Sequence, residues 1–155
     1  MGAELNELYR ELILDHYQNP RGFGRLPEPT HSLGLHNPTC GDRIAVDLEV
    51  ADGRIREYRF SGHGCSISMA SASMLGEAVR GREVGDAKET AEGFVRFITG
   101  ASEERPAGDL EALAGVRKFP ARVKCATLAH NALLEALGRG GGGNTVSGPA
   151  AGDQA

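Results

Sequence analysis

Ile44, Val46, Leu48 and Val50 alternate with Ala45, Asp47 and Glu49, and Asp52-Gly53 follows at once. Strict alternation puts apolar side chains on one face of a strand, and a two-residue Asp-Gly loop turns the chain back with the twist that paired strands need. The stretch therefore predicts an antiparallel hairpin, with its return strand over residues 54–61. Tyr58 and Phe60 share a face of that strand. Ile55 falls off the alternation, which predicts a bulge or a local twist. Residues 32–36 offer a short third strand. A sheet this small cannot cover its own apolar face, so the rest of the chain has to do so.

The flanking segments have the helical period needed for that cover. Leu5, Leu8, Tyr9 and Leu12 recur at helical spacing among acidic and basic residues, and Asn19-Pro20 ends the pattern. Residues 19–31 are rich in Pro and Gly and read as a loop. From Ser66 the residues become small (Ala70, Ser71, Ala72, Ser73), which predicts a buried helix that lets neighbouring backbones pack close. A further helix is expected over 87–99, with Phe94, Val95 and Ile98 as its apolar edge and Gly100 as its stop. One helical turn is expected near Leu110–Leu113. A last helix begins near Lys124, with Leu128, Ala129, Ala132, Leu133, Ala136 and Leu137 on its apolar face. The fold class is thus α+β: a small antiparallel three-stranded sheet packed against several helices. Residues 1–138 form one domain, and the Gly-rich stretch 139–155 reads as a flexible tail.

Function classes narrow next. The 155 residues carry a formal net charge of −4, with a pI near 5.7, whereas a general nucleic-acid binder shows a basic balance. No apolar run reaches membrane-spanning length. The acidic, amphipathic start does not read as a secretory signal. Three widely spaced cysteines, Cys40, Cys65 and Cys125, make no disulfide framework. In a chain read as cytoplasmic, they suit metal binding or thiol chemistry.

Local chemistry points the same way. Cys40 precedes a strand in the run "NPTCGDRI", where Gly41 permits a tight turn and Asp42 can set an oxygen beside the sulfur. Cys65 stands at a strand-to-helix junction and Cys125 in the expected first turn of the last helix, and helix starts favour a thiolate. Three sulfurs and one carboxylate suit tetrahedral zinc. That set leaves two uncompensated negative charges around Zn²⁺, which Arg122 and Lys124 can offset. The same residues also admit plainer roles: isolated thiols serve as small core hydrophobes, and Cys-Gly-Asp can be an Asx-type turn. His36 and His63 lie near Cys40 and Cys65 in sequence as spare ligands. "GRGGGG" over 138–143 lacks the Lys-Ser/Thr of a phosphate loop.

Four segments then add a family. "LYRELILDHYQNPRGFG", "NPTCGDRI", "FSGHGCSISMASASM" and "RVKCATLAHNAL" closely resemble the SufU family, within the broader IscU/NifU N-terminal-like fold, in order from about residue 4 to residue 137. The resemblance implies an α+β sandwich with a metal site at one end. It implies zinc held by Cys40, Asp42, Cys65 and Cys125. The scaffold branch of this fold has His directly before the last Cys, where this chain has Lys124, and the SufU branch inserts a segment that residues 101–118 match. The implied activity is a zinc-dependent sulfurtransferase. It would take persulfide sulfur from a SufS-type cysteine desulfurase, a pyridoxal-phosphate enzyme, and pass it to downstream SUF cluster-assembly proteins. Cys40 is then the sulfur acceptor, released when a partner histidine takes its place on zinc, with Arg122 and Lys124 in support. Two alternatives stay open: a scaffold that builds a [2Fe–2S] iron–sulfur cluster on the same ligands, and a non-catalytic zinc-stabilised binding module.

Overall fold

The structure is a computed structural model that describes residues 2–38 and 41–138. Cys40 and the Gly-rich stretch 139–155 lie outside the described residues. The elements follow in the order α1 (Gly2–Gln18), β1 (His31–Asn37), β2 (Asp42–Ala51), β3 (Arg54–His63), α2 (Ser66–Val79), α3 (Val84–Thr99), a 3₁₀ helix (Gly108–Lys118) and α4 (Pro120–Gly138).

The strands form one antiparallel sheet in the order β1-β2-β3. The expected hairpin is present. Asp52 and Gly53 both take positive φ, at 55° and 75°, as a two-residue turn between twisted strands requires. The register slips between Glu49 and Val50, so Val50 pairs with Ile55 while Glu49 pairs with Glu57. That slip is the irregularity read from Ile55, and it returns the Ile55 side chain to the core. The third strand is longer than its sequence signal, because β1 pairs with β2 from His31↔Leu48 to Asn37↔Asp42. Along this edge Asp47 is buried, yet it accepts hydrogen bonds from Arg25 Nε (2.7 Å), Leu26 N–H (3.0 Å) and Ser32 Oγ (2.7 Å), which tie the Pro/Gly loop to the sheet.

Helix α2 lies between two apolar cores. On one side Ala72, Leu75 and Val79 join Leu33, Val46, Leu48, Tyr58 and Phe60 of the sheet and Leu128, Ala129 and Leu133 of α4. On the other, Ala70 and Met74 join Phe94, Phe97 and Ile98 of α3 and Leu110 and Leu113 of the 3₁₀ helix. Small residues all round α2 make this double burial possible. A Cβ at Gly76 would stand 2.5 Å from the Tyr58 ring, whose hydroxyl donates to the Ala72 carbonyl at 2.8 Å.

Two helix starts differ from the sequence expectation. Helix α3 begins at Val84, three residues early. Helix α4 begins at Pro120 rather than near Lys124, since proline at the first helical position loses only an N–H that has no partner there anyway. Cys125 therefore lies in the second turn of α4, and the helix-start argument for its thiolate does not apply. Residues 108–118 wind as a 3₁₀ helix where a single turn was expected.

Candidate metal centre

Three elements end at one edge of the sheet. Asp42 opens β2, Cys65 is the N-cap of α2, and Cys125 comes from α4. Their ligating atoms all lie within 4.8 Å of one another. Tetrahedral zinc with sulfur at about 2.3 Å would hold two sulfurs about 3.8 Å apart, so a small contraction would close the group on an ion. Asp42 and Cys125 are 4% and 1% exposed, and Cys65 is half-buried. Cys40, read as the fourth member, lies outside the described residues. Its neighbours are in place: Gly41 takes φ 78° and donates its N–H to the Asn37 carbonyl at 2.8 Å, while Asn37 and Asp42 close the β1–β2 ladder.

The N-terminus of α2 shapes this edge. Its N-cap residue, Cys65, makes no side-chain cap bond. Asp42 supplies the acceptor from the neighbouring strand: Oδ1 takes the Cys65 N–H at 3.3 Å and Oδ2 takes the hydroxyl of Ser68. This geometry depends on Gly64, where a Cβ would meet Asp42 Cγ at 2.9 Å. Ser68 Oγ also lies 3.8 Å from Cys65 Sγ. Helix-start N–H groups favour negative charge, so Cys65 and Asp42 share one electropositive position.

A cation completes the donor set. Negative charge on Cys65, a hydrogen bond to Cys65, and then the charge on Cys125 hold the Arg122 guanidinium above its ordinary pKa. Arg122 thus lies close enough to both sulfurs to feel their charge. Lys124 is exposed and has no such contact among the described residues. His36 and His63 are exposed and lie outside the cluster. The chemistry of two thiols, a carboxylate and an adjacent guanidinium fits a soft or borderline divalent metal.

A second convergence was not read from the sequence. His16 of α1 is fully buried, with Nδ1 2.7 Å from Ser73 Oγ of α2 and Nε2 2.8 Å from Asp109 Oδ2 of the 3₁₀ segment; Glu77 Oε1 is 4.0 Å away. The only sequence signal was a histidine inside an amphipathic helix. Ser68 was missed too: it stands three residues after the N-cap Cys65, and its acceptor, Asp42, comes from another element.

With fold and cluster in view, comparison with known proteins is direct. The model for the NifU-like N terminal domain matches residues 8–138, and the chain belongs to that family. Its match to the SufU family, first seen in four short motifs, extends over the chain. It is 43% identical over 144 residues to a zinc-dependent sulfurtransferase SufU of Bacillus subtilis, covering 92% of this chain and 97% of that one. It is also 42% identical over 141 residues to an iron–sulfur cluster assembly scaffold protein IscU of Streptococcus pyogenes, covering 88% and 87%. Among solved structures, a SUF-system protein (FiSufU) of Fervidobacterium islandicum superimposes with a TM-score of 0.77 at 26% identity, over 88% of this chain and 99% of that one. No helix among the described residues is long and apolar enough to cross a membrane.

Proposed function

We propose that the chain is a zinc-dependent sulfurtransferase that accepts persulfide sulfur from a SufS-type cysteine desulfurase. Zinc would be held by Cys40, Asp42, Cys65 and Cys125. The observation that carries this reading is the convergence of Asp42, Cys65 and Cys125 from three separate elements, with Arg122 against the sulfurs. The name of the Bacillus relative supports the metal and the activity. Zinc at these ligands would keep the thiols deprotonated at neutral pH.

Cys40 is the proposed acceptor. As a thiolate it attacks the outer sulfur of the desulfurase persulfide. The old S–S bond breaks, the desulfurase cysteine leaves as a thiolate, and a new S–S bond makes Cys40 the persulfide carrier. No net oxidation occurs. In sequence Cys40 falls between the end of β1 and the start of β2, whereas Cys65 and Cys125 are anchored by helices. Arg122 offsets the charge of the remaining thiolates as the sulfur moves. Lys124, exposed one residue before Cys125, is assigned to steering the partner. Phe119, 60% exposed just ahead of α4, offers that partner an apolar contact. A chemistry that needs reduced thiols places the activity in the cytoplasm, with downstream SUF assembly proteins as recipients.

The Streptococcus relative supports a second reading, a [2Fe–2S] scaffold on the same ligands, because thiolates serve both metals. The deciding experiment is desulfurase turnover under reductant, with and without the zinc-loaded protein. Stimulation that disappears with Cys40→Ala is expected. An active desulfurase that shows no stimulation overturns the sulfurtransferase reading, and a stable, transferable cluster after anaerobic reconstitution would then favour the scaffold.

A further inference from the structure

The carboxylate of Asp42 is held by both of its oxygens. Oδ1 receives the Cys65 N–H at 3.3 Å, and Oδ2 receives the Ser68 hydroxyl. The second bond joins two buried side chains, Asp42 at 4% and Ser68 at 1% exposure. A buried carboxylate with no such donor would turn to whatever donor it could reach, because leaving it unpaired is costly. Ser68 removes that freedom. Each carboxylate oxygen has lone pairs to spare, so Asp42 can keep the Ser68 bond and still offer an oxygen to an ion shared with Cys65 and Cys125.

From this geometry we infer that Ser68 is a positioning residue for the metal centre: its hydroxyl holds the Asp42 carboxylate in the orientation that ligates. The inference rests on the reading of Asp42 as a ligand, and it assigns the residue that makes it one. Ser68 also faces Cys65 Sγ at 3.8 Å, so one hydroxyl touches two members of the donor set. It stands on the first turn of α2, the helix that Cys65 caps. The helix start, one thiol and the carboxylate are therefore aligned by a single side chain. Outer-shell hydrogen bonds to metal ligands commonly contribute 10- to 100-fold in affinity, and Ser68 falls in that class.

The test is a double-mutant cycle on zinc affinity, read by competition with a chelator, and on the visible spectrum of the cobalt(II)-substituted protein. Ser68→Ala should lower zinc affinity by about 10- to 100-fold and alter the cobalt ligand-field bands. Ser68→Thr, which keeps the hydroxyl, should restore both. In an Asp42→Ala background, the effect of Ser68→Ala should be much smaller. A change in the melting temperature of the metal-free protein alone, with affinity and spectrum intact, would make Ser68 a structural residue and overturn the inference. So would an undiminished effect of Ser68→Ala in the Asp42→Ala background. The underlying ligand reading fails in a different way, if Asp42→Ala itself leaves zinc affinity and the cobalt spectrum unchanged.

Discussion

Helix α2 carries two polar clusters that look alike as lists of side chains and differ as chemistry. At its N-terminus Asp42, Cys65 and Cys125 converge; near its other end, His16, Glu77 and Asp109 do. Each trio has its ligating atoms within 4.8 Å. In the second trio both ring nitrogens of His16 already have partners, Ser73 on one side and Asp109 on the other. Ser73 also accepts the Arg21 N–H at 2.8 Å, so α1, the loop after it, α2 and the 3₁₀ segment are fastened at one point. The first trio has soft donors, a helix start and a guanidinium against its sulfurs. Proximity alone does not make a metal centre; the first trio offers soft thiols beside a helix start and a guanidinium, whereas the second is centred on a histidine whose two ring nitrogens are both engaged in hydrogen bonds.

The largest expected effect separates the two clusters at the metal. Structural zinc binds small domains with roughly 10–16 kcal/mol, or about 3 kcal/mol for each of four ligands, close to a hundredfold in affinity. Cys125→Ser should therefore weaken zinc binding by about a hundredfold or more, measured by chelator competition. It should change the stability of the metal-free protein little. Unchanged zinc affinity would break the comparison by making Cys125 a core thiol.

His16→Ala should behave in the opposite way. It removes one buried and one partly buried hydrogen bond and leaves a cavity, for a loss of about 2–4 kcal/mol in denaturant unfolding of the metal-free protein. Zinc affinity should stay within about twofold of the parent, because both ring nitrogens of His16 are bonded to Ser73 and Asp109, which are not in the first trio. A large loss of zinc with little loss of stability would reverse the assignment of the two clusters.

These contrasts also show what a sequence can carry. The Ile44–Val50 alternation, the Asp52-Gly53 turn and the helix after Cys65 were legible because their signals are local and periodic. Asp42, Cys65, Cys125 and Arg122 stood out as candidates because thiols are rare; Asp42 and Cys65 also stand at element edges, whereas Cys125 lies a turn inside α4. The start of α4 was misplaced because Pro120 reads equally as a stop or as a first helical residue. The 3₁₀ segment has no strong period, and its path depends on Leu110 and Leu113 entering the core beside Phe94 and Phe97. The His16–Ser73–Asp109 contact joins positions 57 and 93 residues apart, and no pattern within one helix encodes a partner at that distance. Ser68 lay between these cases: its helix position was readable, but its acceptor comes from another strand.

A third serine of α2 allows the finest test. Ser71 donates its hydroxyl to the Ala126 carbonyl at 2.6 Å, so its oxygen is left to accept from His130 Nε2–H at 3.0 Å. His130 is fully buried, stacks on Phe94 with ring centroids 4.1 Å apart, and leaves Nδ1 without a partner among the described residues. Burial alone pushes its pKa down from 6.5 to about 3. The unfolded chain thus binds a proton below about pH 6.5 that the folded chain refuses until about pH 3. The sign follows: the contribution of neutral His130 is fully present above pH 6.5 and is lost as pH falls through that window, by at most about 1.4 kcal/mol per pH unit. Urea unfolding of the metal-free protein between pH 6.5 and 4.5 should show this slope, and His130→Gln should flatten it, whereas His16→Ala should leave the His130 contribution in place. An equally steep slope in His130→Gln would assign the acid sensitivity to other groups.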